Sequence, residues 1–151
     1  MMKRDGASNM QPVVSCVGNA IGTSGAGVEV TGLPVSTAGF GEVTCVLATA
    51  VLGDADVVIT PVIEESDTLV DADFSAVSDD DLVGLEGSLN FADDLSTRKI
   101  GYVGKKKYIR INCTPTGTAD ANPTTFMGLV ILGSPRLAPV AQEHANTLTA
   151  S

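Results

Sequence analysis

Between Lys99 and Pro139 the chain carries two compact runs, KIGYVGKKKYIRI and TFMGLVILGSPRLAP. Both are rich in β-branched or aromatic residues and punctuated by glycine, the pattern of strands joined by tight turns. In the first run Ile109, Ile111 and Cys113 fall on one face, with Lys107 at its rim. Tyr108, Arg110 and Asn112 fall on the other, because side chains alternate along a strand. The first set is expected in the core and the second is expected to present a polar surface. Gly101 and Gly104 are expected to shape a hairpin turn. Gly133 and Pro135 are expected to end the last strand and stiffen its exit. No catalytic constellation accompanies either run.

The same period continues upstream. Residues 42–52, EVTCVLATAVL, alternate as a strand with both faces buried, and VVITPVIEE over 57–65 reads as a second. Pro61 cannot donate a ladder hydrogen bond, which predicts an edge or a bulge there. SCVGNAIGTSGAG, within 13–41, reads as loop-rich, with an early strand around Val28 and Val30. Residues 64–94 hold eleven acids interrupted by anchors such as Phe74, Leu82 and Leu89. This is a long acidic excursion with short strands or half-turns of helix. It is too apolar for a disordered tail.

About seven or eight strands with no βαβ alternation predict an all-β domain. The expected form is a compact β-sandwich, jelly-roll-like, or else a small β-barrel, with a long acidic loop. Residues 1–12 are expected to be a flexible N-terminal arm, 13–140 one β-rich domain and 141–151 a loose tail.

Charge narrows the partners. Nine basic against eighteen acidic residues give a formal charge of -9. That repels nucleic acid and anionic membrane, so neither is an expected partner. No apolar stretch approaches the roughly 18 residues of a membrane-spanning helix. Cys16, Cys45 and Cys113 are odd in number and far apart, so buried free thiols are expected and a disulfide framework is not.

His144 is the only histidine, and general-base catalysis needs a partner to orient the ring. The cysteines lack zinc spacing. The glycines of 18–27 lack the lysine-serine or lysine-threonine ending of a phosphate loop. DADFSAVSDDDL places Asp71, Asp73, Ser75, Val77 and Asp79 at EF-hand spacing. However, Ala76 replaces the obligatory glycine and Leu82 the bidentate glutamate. A non-standard calcium site at Asp79, Asp80 or Asp81 stays open beside a solvated acidic loop. Paired carboxylates without tryptophan do not make a glycosidase cleft. No enzyme, metal or cofactor is expected.

Six of the nine basic residues, Arg98, Lys99, Lys105, Lys106, Lys107 and Arg110, follow the acidic excursion. Such lysines either protect a strand edge from aggregation or form a docking surface that meets acids on another subunit.

VVITPVIEESDT, RKIGYVGKKKYIRI and GLVILGSPRLAP together resemble a family of small proteins of tailed-bacteriophage heads. The matching residues are Glu64 to Asp67, then Ile100, Gly101, Tyr102, Gly104, Lys107, Tyr108 and Arg110, then Leu132, Gly133, Pro135, Arg136, Ala138 and Pro139. The resemblance covers roughly residues 43–140. The chain departs from the pattern in lacking the tryptophan after the EESD run and in the length of its acidic loop. The resemblance implies a non-enzymatic virion structural protein. It would be a capsid cement or decoration protein on the outer surface of the head, made in the host cytoplasm. It also implies the major capsid protein and further copies of the chain as partners, commonly as homotrimers. Under this reading Lys105, Lys106, Lys107, Tyr108, Arg110 and Arg136 are the interface residues. A head–tail connector or tail component is the alternative, and a carbohydrate- or host-surface-binding module a more distant one.

Overall fold

The computed structural model describes residues 7–20, 28–53, 55–117 and 124–137. Its principal strands are β1 (Met10–Ala20), β2 (Val35–Ser36), β3 (Phe40–Thr49) and β4 (Val58–Ser66). β8 (Thr97–Tyr102), β9 (Tyr108–Thr116) and β10 (Thr124–Pro135) follow the excursion. The excursion itself contributes β5 (Ser75–Ala76), β6 (Leu82–Val83) and β7 (Leu89–Asn90), separated by short 3-10 turns.

All described strand pairs are antiparallel and form two sheets. One runs β1-β10-β3-β8-β6; the other runs β2-β9-β4-β5, with β7 also on β4. The domain is therefore all-β with two packed antiparallel sheets. Each sheet buries one face, because apolar residues recur with period two. Val13, Leu47, Ile100, Val130 and Leu132 come from the first sheet; Ile59, Ile63, Ile109 and Ile111 come from the second. Each such side chain stabilises the fold by roughly 1.5–3 kcal/mol relative to exposure. The sheets approach closely at Gly128, where a Cβ would lie 2.7 Å from Cys16 Sγ and 3.1 Å from Ile111 Cβ.

β1 begins inside the segment expected as an arm, because Gln11 and Val13 are buried. It also takes in Ser15 to Ala20, expected as loop. A bulge between Val14 and Cys16 turns Ser15 inward. Its hydroxyl accepts from the Ile111 N–H (2.9 Å) and donates to the Leu33 carbonyl (3.1 Å), tying the two sheets together at one side. The remainder of the expected arm, residues 1–6, and the expected tail with His144 lie outside the described residues.

β4 is only partly an edge. β9 covers one flank along its whole length, while β7 and β5 cover only the ends of the other. Ile63 turns its N–H to that second flank, where the Glu86 carboxylate accepts it. Pro61 has the same parity, so its missing donor faces the gap between β7 and β5. The expected edge character of Pro61 is thus local.

Lys99 to Ile111 does not form a hairpin. β8 pairs with β3 and β6 in one sheet, and β9 pairs with β2 and β4 in the other. Residues 103–107 carry the chain from sheet to sheet. Gly101 and Gly133 are likewise strand residues and not turns: Gly101 pairs with Thr44 and Val83, and Gly133 with Met10 and Glu42. Pro135 is the last residue of β10, opposite Phe40.

Candidate functional site

The 103–107 crossing is held by one aromatic residue. Tyr102, the last residue of β8, is 6 % exposed. Its hydroxyl donates to Glu65 Oε2 (2.6 Å) and accepts the Lys106 N–H (3.0 Å). Burial first, and then the hydrogen bond to Glu65, push the phenol above its ordinary pKa. Gly104 lies where a Cβ would meet the Tyr102 ring at 2.5 Å, so a side chain there would displace the ring. The Val103 N–H donates to the Asp81 carbonyl (2.9 Å), fastening the crossing to the Asp79–Asp81 turn.

Around this crossing lies an open polar recess of about 420 Å³, lined by Glu65, Asp67, Asp81, Lys105 and Lys106. Lys106 Nζ pairs with Asp67 at 2.8 Å, both half exposed. This contact raises the lysine pKa and lowers that of the carboxyl. In water such a pair sets geometry more than stability.

Four of the six expected interface residues come together at this end. Lys105, Lys106 and Lys107 are exposed on the crossing, and Arg136 is exposed just beyond β10. The Thr37–Gly39 segment links them. Its Thr37 N–H donates to the Lys107 carbonyl (2.9 Å), and its Gly39 carbonyl accepts the Arg136 N–H (2.8 Å). Tyr108 is half-buried at the start of β9, opposite Ser36 and Ser66.

Arg110 is placed differently from expectation. It is 6 % exposed and cannot present a free surface. It stands opposite Glu64 in the β4–β9 register and pairs with it at 2.7 Å. It also pairs with Asp71, and its guanidinium lies 4.2 Å from the Phe74 ring centre. Burial opposes the charge, but Asp71 and Glu64 outweigh it, and the arginine pKa is raised. The face expected to be polar and open is thus covered by the excursion. Asn112, one step along, is 1 % exposed, and its Oδ1 accepts the Gly32 N–H at 2.9 Å.

Asp79, Asp80 and Asp81 form a short 3-10 turn capped by Ser78. Among the described residues no group of three or more histidine, cysteine or acidic side chains is arranged to hold a metal. All three cysteines are free thiols and buried. Cys16 and Cys113 face each other across the sheets at 3.8 Å, and their shared hydrogen bond lowers the pKa of Cys16 and raises that of Cys113. Burial, reinforced by the charge of Glu86, pushes Cys45 up to about 12.

Comparison with protein-family models, curated proteins and solved structures finds no match.

The geometry that sequence reasoning missed is the Tyr102 corner. Its signal in the sequence is the Tyr102-Val103-Gly104 run, an aromatic residue two positions before a glycine.

Proposed function

We propose that the protein is a non-enzymatic structural component of a virion, a decoration protein that binds the outer surface of the expanded capsid and stabilises it. The observation that carries this reading is the strand order. With the two-residue strands β6 and β7 set aside, the orders β1-β10-β3-β8 and β2-β9-β4-β5 support a jelly-roll reading of the sandwich. That double-sheet form recurs in viral capsid and lectin domains. It is a fold-level argument, joined to the family resemblance of the three sequence segments.

In this reading the end bearing Lys105, Lys107 and Arg136 meets acidic groups of the major capsid protein. The recess at Glu65, Asp67 and Lys106 sets the register of that contact. A protein that binds the expanded lattice and not the free subunit stabilises the shell by mass action. Contacts repeated by symmetry gain from effective concentration.

The test is binding to expanded shells of its own virion that lack the protein. Saturable binding, with a rise in the temperature at which the shells open, is expected. Reversing Lys105, Lys107 and Arg136 to glutamate should weaken binding without lowering the melting temperature of the free protein. Shells that bind none of it at saturating concentration contradict the proposal.

A further inference from the structure

The outer face of the five-stranded sheet is apolar in register. Val14, Leu129 and Val46 stand in one cross-strand row that ends at Lys99 on β8. On one side lies the row Pro12, Ile131, Thr44 and Gly101; on the other lies Val17, Met127, Ala48 and Thr97. Val14 and Val17 are 44 % and 59 % exposed, while Leu129, Ile131 and Val46 are only partly covered. Lys99 is the one charge in these three rows. Next to the Pro12 row comes Met10, Gly133 and Glu42, with the Glu42 carboxylate folded over Gly133.

We propose that this face is a two-fold interface with a second copy of the chain. Two observations select that occupant. First, eleven of the eighteen acids lie in residues 64–94, whose Asp71 and Phe74 cover the opposite sheet. Two copies of a strongly acidic chain repel each other least where acids are fewest.

Second, the charges on the face are arranged for self-complementarity. Glu42 lies one row to one side of the Pro12–Ile131–Thr44–Gly101 row, and Lys99 lies one row to the other. A two-fold axis along that middle row exchanges the flanking rows. Glu42 of each copy then comes opposite Lys99 of the other, one strand spacing of about 4.8 Å aside and across the roughly 10 Å between the facing sheets, a span for these two side chains to reach across. Ile131 and Thr44 meet their own counterparts, as an isologous interface requires. The patch spans about 400 Å² of sheet plane from strand and row spacings. The pair would bury about 800 Å² in all, below the roughly 1,200–2,000 Å² of stable specific interfaces, so it should be weak and reversible. The inference stands apart from the capsid reading and departs from the trimer that the family resemblance implies.

The experiment is sedimentation equilibrium of the full chain over a wide concentration range. The mass should rise from one chain to two. Glu42→Lys and Lys99→Glu should each raise the dissociation constant about tenfold. The doubly exchanged protein should recover most of the loss, which a merely structural effect would not give. Leu129→Asp should abolish pairing, with circular dichroism melts confirming a folded monomer. A monomer at every concentration, a three-chain assembly, or a pair indifferent to both charge reversals overturns the proposal.

Discussion

Tyr102 donates its hydroxyl proton to Glu65 Oε2 at 2.6 Å, joining the end of β8 in one sheet to β4 in the other. The Tyr102 hydroxyl oxygen also accepts the Lys106 N–H at 3.0 Å. One phenol thereby fixes both the sheet-to-sheet crossing and a wall of the polar recess.

Tyr102→Phe keeps the ring and removes both hydrogen bonds. It should cost about 1–3 kcal/mol, because Glu65 and a backbone donor lose their partner. Trypsin should then cut faster after Lys105, Lys106 and Lys107 at temperatures where the core is intact. An unchanged melting temperature with unchanged cleavage would show that the hydroxyl does not hold the crossing.

Arg110→Met should destabilise the fold by roughly 3 kcal/mol, because Glu64 is left part-buried without its counter-charge. Hydrogen exchange around Asp71 to Phe74 should quicken, since that segment loses its anchor. If Arg110 were instead a docking residue, the variant would retain stability and lose only binding to a partner.

Glu86 gives a pH signature. Burial raises its pKa, the Ile63 N–H partly offsets this, and the charge of Asp79 adds to the rise. The folded pKa therefore lies above the unfolded one. Between the two, the folded state binds more protons, so stability from this group falls as pH rises. Glu86→Gln keeps an acceptor for Ile63 and removes the part-buried charge. It should melt higher than the parent at pH 7, and the gap should close as pH falls through the folded pKa. A gap that widens on acidification would contradict this.

Gly128→Ala should destabilise by about 1–3 kcal/mol through overpacking. The added methyl meets Cys16 Sγ and Ile111 Cβ, where the two sheets approach closely. Cys16→Ala in the same chain should recover part of the loss by relieving the tighter contact. Equal melting temperatures for Gly128→Ala and the parent would mean that the sheets have room to separate there.

The sequence reading succeeded where burial is one-sided and the pattern is clean. β4 and β9 were legible from their pattern, as was the core face Ile109, Ile111 and Cys113, and β10 from its apolar run. β3 was legible as a strand but not as two-sided, because Cys45 and Leu47 are buried while Thr44, Val46 and Ala48 on its other face are only partly covered. Pairing was not legible. A short glycine- and lysine-rich link between two strands looks the same whether they pair or part into different sheets, and only the Tyr102 contacts distinguish the two. β1 was hidden because Gly18 interrupts it near its end, where a Cβ would meet the Phe126 ring at 2.2 Å. Arg110 was assigned to the surface because its charge suggests water. The excursion that covers it lies some forty residues away in the chain. At the candidate site, the clustering of Lys105 to Lys107 was legible, and their meeting with Arg136 across Thr37–Gly39 was not.

The most direct test of the capsid assignment is the copy number and position of this protein in purified particles, by quantitative mass spectrometry with cryo-electron microscopy. The account predicts hundreds of copies on the outer surface of the shell, in fixed proportion to the major capsid protein. A dozen or fewer copies at a vertex or tail, or none, would contradict it.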